Sequence, residues 1–165
     1  MVVVTVNRNT YGGEDYLRKA CSYVTDPSRA IAPGGYGVDY TDAAKCFQNM
    51  WATKRYYGKT SDNPLLHIVI SYEYGVKDAD TAALYSRKIA SYYNGNYQNV
   101  FCAHEKDRYC SHYHTHLVVN STAYTNGHLI NSWMGNMNQF CAHVINVTGQ
   151  KVWLEFKNKA FDFNG

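Results

Sequence analysis

The segment that decides the fold covers residues 99–121 and reads NVFCAHEKDRYCSHYHTHLVVNS. Its first five and last eight residues are rich in β-branched and apolar side chains, which predicts two strands joined by a polar loop. Because side chains alternate along a strand, His114 and His116 lie on one face of the second strand. His104 comes just after the first strand. If the loop reverses the chain, the two strands lie side by side and the histidines meet.

This histidine-rich segment predicts a metal site. Four of the seven histidines fall within 13 residues. Two imidazoles on one strand and a third from a neighbouring strand can hold one ion and leave positions open for substrate oxygens. His112, His114 and His116 are each two residues apart, so all three would lie on the same face of a strand. Spacing alone therefore does not show which two of them bind the metal. Several imidazoles on one face are costly to bury together without a cation.

The remaining segments extend the two strands into an α+β fold. Residues 32–40 are rich in glycine and predict a loop, while 124–127 predict a hairpin turn from which 128–131 return. The order of elements predicts one domain over residues 1–165, a two-layer sandwich with a central, largely antiparallel five-stranded sheet. The other predicted strands are 2–6, 66–72 and 151–156, and the predicted helices are 14–24, 41–54, 80–93 and 136–147.

Composition is that of an ordinary globular domain, with 45% hydrophobic and 18% charged residues. No apolar run reaches the ~18 residues that span a bilayer, so no membrane insertion is expected. The five cysteines are scattered and form no CxxC pair, which predicts free thiols in a reducing cytoplasm. A net charge of +3 is compatible with nucleic-acid binding but does not argue for it. Some of the 16 tyrosines could stack on unpaired bases through their rings.

Three segments resemble motifs of one protein family. HYHTHLVVNST (residues 112–122) resembles the third motif of conjugative relaxases of the HUH endonuclease superfamily, in the branch of the T-DNA transfer relaxases and plasmid mobilisation proteins. YLRKACSYVTDPSRA (16–30) resembles the first motif of that branch, a helix that carries the nucleophilic tyrosine. HIVISYEYGVKDADTAALYSRKIASYY (67–93) resembles its second segment. The third motif is specific, and the other two support it.

The resemblance implies a set of site residues. His112 matches an extra histidine before the metal-binding pair, and Asn120 would support a ligand or contact phosphate. The segment in front of His114 and His116 is three residues longer than in that branch. The spacing therefore does not decide which acidic residue supports the site. The candidates are Asp107, as a possible acid or base, and Glu105. The implied metal ligands are His104, His114 and His116.

The same resemblance bears on the nucleophile and on DNA contacts. Tyr23 matches the motif tyrosine before the Asp-Pro turn, with Tyr16 as the second choice and Tyr11 as the third. Without the resemblance, Tyr23 would be read as a core aromatic residue at helical spacing. Candidate contacts to phosphate or bases, each with an ordinary surface or packing role as the alternative, are Arg29, Lys54, Arg55, Lys59, Trp51 and Trp133.

The implied function is that of a DNA relaxase, which nicks one strand at an origin of transfer (oriT) by tyrosine transesterification. The products are a 5′-phosphotyrosine and a free 3′-hydroxyl. The implied cofactor is one divalent ion, Mn²⁺ or Mg²⁺, with Zn²⁺, Co²⁺ and Ni²⁺ as alternatives. The implied partners are single-stranded DNA, auxiliary relaxosome proteins and a coupling protein, in a bacterial cytoplasm. Similar relaxases are commonly longer, so the chain could be the N-terminal part of a longer protein.

Three alternatives stay open at this point. A rolling-circle replication initiator of the same superfamily usually carries its tyrosine on a helix downstream of the histidines, and the helix predicted over 136–147 contains none. A non-catalytic module that binds single-stranded DNA would hold a structural zinc through Cys102 or Cys110. A metallohydrolase would use an activated water and leave no covalent protein–DNA adduct.

Overall fold

Six strands and four helices make up the part of the chain that the computed structural model describes, which is residues 1–8, 13–108 and 110–164. The α+β class predicted from the sequence is confirmed. The strands are β1 (Val2–Asn7), β2 (Ile31–Tyr36), β3 (Leu65–Tyr72), β4 (Asn99–His104), β5 (His114–Asn120) and β6 (Val152–Lys157). The helices are α1 (Gly13–Thr25), α2 (Ala43–Tyr56), α3 (Ala79–Ala90), which continues into a 3₁₀ turn (Ser91–Tyr93), and α4 (Met134–Thr148).

Local sequence signals set the helix ends. The side chains of Asp42 and Asp78 accept hydrogen bonds from backbone N–H groups in the first turns of α2 and α3, which is the usual role of aspartate before a helix. Helix α4 ends at Gly149, whose φ of 69° is the left-handed conformation that glycine adopts without strain. Helix α1 buries an apolar stripe that includes Leu17, Ala20 and Val24, so its orientation follows from this spacing.

The strand order is β2-β4-β5-β3-β1-β6. Every neighbouring pair is antiparallel except β1 and β6, so the prediction of a largely antiparallel sheet is confirmed. The predicted neighbours β4 and β5 pair directly, with His104 opposite His114. The return over 128–131 is weaker than predicted, since the structure describes one bridge there, between Thr122 and Leu129.

Strand β2 makes the sheet one strand larger than predicted. Its glycines suggested a loop, but they allow an edge strand to lie close against β4. A Cβ atom on Gly34 would stand 2.5 Å from Cζ of Phe101, so only glycine fits there without displacing that ring. The pairing shifts register between Ile31 and Gly34, as at a β-bulge.

Helices cover both faces of the sheet, whereas the sequence predicted two layers. We call the side that packs against α3 and α4 the back face; its core includes Val4, Ile68 and Leu117. The opposite side, which we call the front face, packs Val118 and other strand residues against α1 and α2. His114 and His116 share the front face with Val118, because they are separated from it by even numbers of residues.

The front face is only partly covered. Helix α1 packs over β4 and β5, while Trp153, on the front face of β6, is 61% exposed. The segment 158–164 turns back over this face and buries Ala160 and Phe163 in the front core. The histidines therefore lie where a covered half of the face meets an open half. No helix among the described residues is both long and apolar enough to cross a membrane.

Candidate metal centre

Four possible metal ligands meet on the front face, where β4 ends and β5 begins. One donor atom from each side chain lies within 4.8 Å of the donor atoms of the others. The strand register causes this, because His104 and His114 are directly paired and His116 follows two residues later on the same face. The three imidazole centroids are 4.7–5.4 Å apart. We call this group, made of His104, Asp107, His114 and His116, the metal cluster.

Two nitrogens of the metal cluster have the chemistry of metal ligands. Within the described residues, Nε2 of His104 and Nε2 of His116 are buried and have no hydrogen-bond partner. A buried polar atom without a partner costs about 1–3 kcal/mol, so two in one cluster call for a ligand. Burial lowers the pKa of His104 to about 4 and holds the pKa of His116 well below its usual value. Both rings are therefore neutral, the form that binds a metal.

Asp107 joins the metal cluster through its carboxylate. Oδ2 lies 3.1 Å from Nε2 of His114 and 3.6 Å from Nδ1 of His104. The loop holds the carboxylate in place, because Oδ1 accepts a hydrogen bond from the backbone N–H of Cys110 at 3.0 Å. The other predicted acidic candidate, Glu105, is exposed and lies outside the cluster. Of the two candidates, only Asp107 has this geometry.

His114 is oriented by the chain just before it. Its Nδ1 lies 2.9 Å from the carbonyl oxygen of His112, which can only accept, so this nitrogen carries the proton. Burial acts to lower the pKa of His114, but contacts with Cys110 and the His112 carbonyl, together with the charge of Asp107, outweigh it and raise the pKa. The backbone carbonyl of His112 thus orients His114, while the centroid of the His112 ring lies 6.1 Å from that of Tyr74.

His67 extends the metal cluster and was not predicted from the sequence. Its Nε2 lies 3.0 Å from Nδ1 of His116, and its Nδ1 lies 3.1 Å from the side-chain amide of Asn7. Burial lowers the pKa of His67 to about 3, so the ring is neutral. As placed, Nδ2 of Asn7 donates to Nδ1 of His67. An ion on Nε2 of His116 requires Nδ1 of His116 to donate to His67, and therefore the Asn7 amide to turn over so that its oxygen accepts from His67. The alternation of side chains along β3 could have indicated this position, because it puts His67 on the same face as the other histidines.

Tyr23 lies against the metal cluster. Its ring centroid is 5.4 Å from that of His104 and 5.1 Å from that of His116. The guanidinium of Arg29 lies over the same ring, 4.7 Å from the centroid. Burial, and then the charge of Asp107, raise the pKa of Tyr23 to about 12, although Arg29 acts in the opposite direction. The hydroxyl is therefore protonated at neutral pH and needs a base to become a nucleophile.

The other two candidate tyrosines are placed differently. The Tyr16 hydroxyl donates to the backbone oxygen of Phe161 at 3.0 Å, and its ring packs on Phe163. It thus ties α1 to the segment 158–164. Tyr11 lies outside the described residues.

Phe161 and Phe163 form an apolar wall beside the cluster. Their ring centroids each lie 5.5 Å from that of Tyr23, and they contact His67 at 4.6 and 5.0 Å. Phe161 also contacts His116 at 5.3 Å. This wall keeps water from one side of Tyr23 and of the inner histidines, which strengthens electrostatic interactions there.

The position of Asn120 argues against its predicted contact with the metal site or with phosphate. It shares the front face with the histidines, but four residues of strand separate it from His116, roughly 13 Å. Its amide donates to the backbone oxygen of Met50 and to Oε1 of Gln98, both at 3.0 Å, and its oxygen accepts from the N–H of Thr122. Asn120 therefore fastens β5 to α2.

Lys54 is not positioned to contact DNA phosphate, because its side chain is fully buried. Nζ donates to Oγ of Ser121 at 2.6 Å and to Oγ1 of Thr122 at 3.2 Å. Burial lowers the pKa of Lys54 to about 8. Arg55 and Lys59 follow Lys54 in sequence, away from the metal cluster. Arg55 is exposed and Lys59 is half-buried, and neither lines the groove described next.

A groove of about 400 Å³ opens directly on His104 and Asp107. We call it the basic groove, because the cations in its walls (Arg29, Lys106 and Arg108) outnumber the acids (Glu105 and Asp107). Arg29 is the one predicted phosphate contact that lies at the cluster. The predicted stacking candidates are elsewhere: Trp51 stacks on Phe47, and Trp133 directly precedes α4.

The cysteines lie outside the metal group, although Cys110 contacts His114. All five are free, and the metal group found among the described residues contains none of them. Cys102 is buried, and burial raises the pKa of its thiol far above the usual value. Cys110 lies 3.0 Å from Oγ of Ser71.

Residues 23–146, about three quarters of the chain, match the family model described as "Relaxase: MobA/VirD2-like, nuclease domain". The chain belongs to this relaxase family. The resemblance inferred from the three sequence motifs is confirmed, and membership supports a role as a DNA relaxase or nuclease. The matched range of this relaxase domain begins at Tyr23 and contains the whole metal cluster. No curated protein and no solved structure gives a match.

Proposed function

We propose that this relaxase domain nicks single-stranded DNA at an oriT by transesterification, with Tyr23 as the nucleophile. The observation that carries the proposal is the contact between the Tyr23 ring and two histidines whose Nε2 atoms have no hydrogen-bond partner in the part of the chain that the structure describes. In a family of relaxase nucleases, a tyrosine packed against a set of metal-binding donors has the elements that phosphoryl transfer needs.

The proposed reaction exchanges one phosphodiester bond for another. Oη of Tyr23 forms a bond to phosphorus, the bond from phosphorus to the 3′ oxygen breaks, and the released strand leaves with a 3′-hydroxyl. The proton lost from Tyr23 balances the proton gained by that oxygen. No nucleotide cofactor is needed, because the bond energy is kept in the phosphotyrosine. Attack by a 3′-hydroxyl on that linkage rejoins the DNA.

The metal cluster would hold one divalent ion through His104, His114 and His116. When bound, such an ion neutralises charge on the scissile phosphate and polarises its phosphorus. We favour Mn²⁺ or Mg²⁺, while three imidazoles also suit Zn²⁺, Co²⁺ and Ni²⁺. His67 and the His112 carbonyl hold two of these rings in position through their outer nitrogens.

Asp107 is the proposed proton acceptor for Tyr23. Its charge already acts on the Tyr23 hydroxyl, and it contacts two of the histidines. Arg29 lies over the Tyr23 ring and in the wall of the basic groove, so it can hold phosphate beside the reacting atoms. Auxiliary relaxosome proteins and a coupling protein are proposed partners on the basis of the family alone.

The test is formation of a covalent adduct. Purified protein is incubated with Mn²⁺ and labelled single-stranded DNA from the oriT of the element that encodes it, and then resolved on a denaturing gel. We expect a labelled protein band with wild type and its loss with Tyr23→Phe, whereas the matched control Tyr16→Phe keeps it. An undiminished band from Tyr23→Phe would remove Tyr23 from the role. Cleavage without an adduct would indicate hydrolysis by water.

A further inference from the structure

We propose that Trp153 is a DNA-binding residue, on which one unpaired base near the nick stacks. This inference rests on the proposed function. The residue stands at the far end of a second groove of about 670 Å³ on the open half of the front face. We call it the aromatic groove, and His114 and His116 line its other end.

The strand register connects Trp153 to the metal cluster. Trp153 is opposite Val3, Val3 is opposite Ser71, and Ser71 is opposite His114. These four side chains form one row across β6, β1, β3 and β5 on the front face. Three strand spacings of about 4.8 Å put the ends of the row roughly 14 Å apart. That distance corresponds to about four nucleotides at a stacked rise of ~3.4 Å, and to fewer in an extended strand.

The aromatic groove is continuous with the metal cluster, which indicates that its ligand is the DNA strand bound at the cluster. His114 and His116 belong to the wall of this groove, while Tyr23 and His104 belong to the wall of the basic groove. The cluster thus lies between two grooves. A DNA strand whose phosphate sits at the cluster must continue away from it in two directions, and these two grooves supply both paths.

The side chains of the aromatic groove suit bases better than phosphates. Lys157 and Lys159 are its cations, and Glu73, Glu155 and Asp162 are its acids, so the charges do not favour an anion. Glu155 accepts a hydrogen bond from Thr5 and lies 4.0 Å from Lys157, and Asp162 lies 3.8 Å from Arg108. An indole that is 61% exposed in such a groove offers a stacking face that tolerates any base.

The first experiment measures binding without cleavage. Affinity for the oriT single strand is measured by fluorescence anisotropy in EDTA for wild type, Trp153→Ala, Trp153→Phe and Trp133→Ala. Trp133 is the matched control, because it is 58% exposed but directly precedes α4, a helix of the back face. We expect Trp153→Ala to weaken binding about 5- to 150-fold, the range for loss of one stacked base. Trp153→Phe should recover most of this loss, and Trp133→Ala should bind as wild type.

Two further readouts separate stacking from other effects. The salt dependence of binding should have the same slope for wild type and Trp153→Ala, because no phosphate contact is lost. With 2-aminopurine placed at each of the five positions on either side of the nick, one position should lose its quenching in Trp153→Ala and keep it in Trp133→Ala. Wild-type affinity of Trp153→Ala, or unchanged quenching at every position, would overturn the proposal.

These experiments distinguish failure of the stacking proposal from failure of the nicking proposal. If wild type forms the adduct and Trp153→Ala binds DNA normally, the stacking proposal fails while the proposed function stands. If wild type forms no adduct but Trp153→Ala binds weakly with one altered 2-aminopurine position, the aromatic groove is a DNA site and the nicking proposal fails. Because Trp153 is exposed, its substitution should leave the melting temperature near that of wild type, which circular dichroism checks.

Discussion

The two ends of β5 carry buried polar clusters of opposite character. At the Asn120 end, the amide of Asn120 and the amine of Lys54 have protein partners on the front face. At the histidine end, Nε2 of His104 and Nε2 of His116 have no hydrogen-bond partner among the described residues. Both ends are polar and buried, so neither property marks a site. Oδ1 of Asn99, opposite Val119 near the other end, is also buried without a hydrogen-bond partner among the described residues, but it stands alone. Two unpartnered imidazole nitrogens in one group of possible metal ligands therefore distinguish the end built for a ligand from the end built to hold the fold.

The largest effect is expected from His116→Ala, which tests this distinction directly. Loss of one ligand should abolish metal binding in isothermal titration calorimetry. We expect adduct formation to fall by at least about a thousandfold, because the charge stabilisation supplied by an ion is worth several kcal/mol. The control is Asn120→Ala, on the same strand and face, which should melt at lower temperature but bind the metal as wild type. Equal metal affinities in wild type and His116→Ala would contradict the assignment of the cluster.

Lys54→Ala should have the largest effect on stability. The substitution removes a long buried side chain and two hydrogen bonds, and the analogous truncation of methionine costs about 2–5 kcal/mol. Urea denaturation measures this loss. Metal affinity should stay unchanged, because the Lys54 side chain lies at the Asn120 end. A change in metal affinity without a change in stability would mean that the two ends of β5 are not independent.

The pH dependence of the Lys54 contribution has a definite sign. Its pKa is about 8 in the folded chain against an ordinary 10.5, so the unfolded chain binds more protons between these values. Stability relative to a Lys54→Met variant should therefore rise between pH 8 and pH 10.5. The total gain is about 3 kcal/mol, since each pKa unit is worth about 1.4 kcal/mol. A constant difference across this range would mean that burial does not disfavour the charged amine.

The parts of the fold and of the metal cluster that depend on local patterns could be predicted from the sequence. The alternation of β5 predicted which face His114 and His116 share, and their pairing with β4 brought in His104, because these relations are local. The same alternation could not show that Asn120 points to a different partner, since that depends on where α2 crosses the strand. Lys54 contacts a serine that is 67 residues away along the chain, so no local pattern could reveal its burial.

A substitution of His67 should affect the metal cluster less than loss of a ligand. His67→Ala removes the group that orients His116, and loss of such a partner typically lowers metal affinity 10- to 100-fold. Titration calorimetry with Mn²⁺ or Co²⁺ measures the change. His67→Gln, which keeps a hydrogen-bonding group, should recover part of the loss. If His67→Ala bound metal as tightly as wild type, the contact with His116 would serve packing alone.

The smallest effect is expected at Arg29, in the wall of the basic groove. Arg29→Ala should weaken binding of single-stranded DNA and reduce the slope of log affinity against log salt concentration by about 0.7, the value for one phosphate contact on a single strand. Arg55 is the matched control, because it is an exposed arginine on the helix that covers the Asn120 end. If Arg55→Ala reduced the slope as much as Arg29→Ala, DNA would contact both ends of β5. The contrast between a ligand-binding end and a purely structural end would then apply to the interior and not to the surface above it.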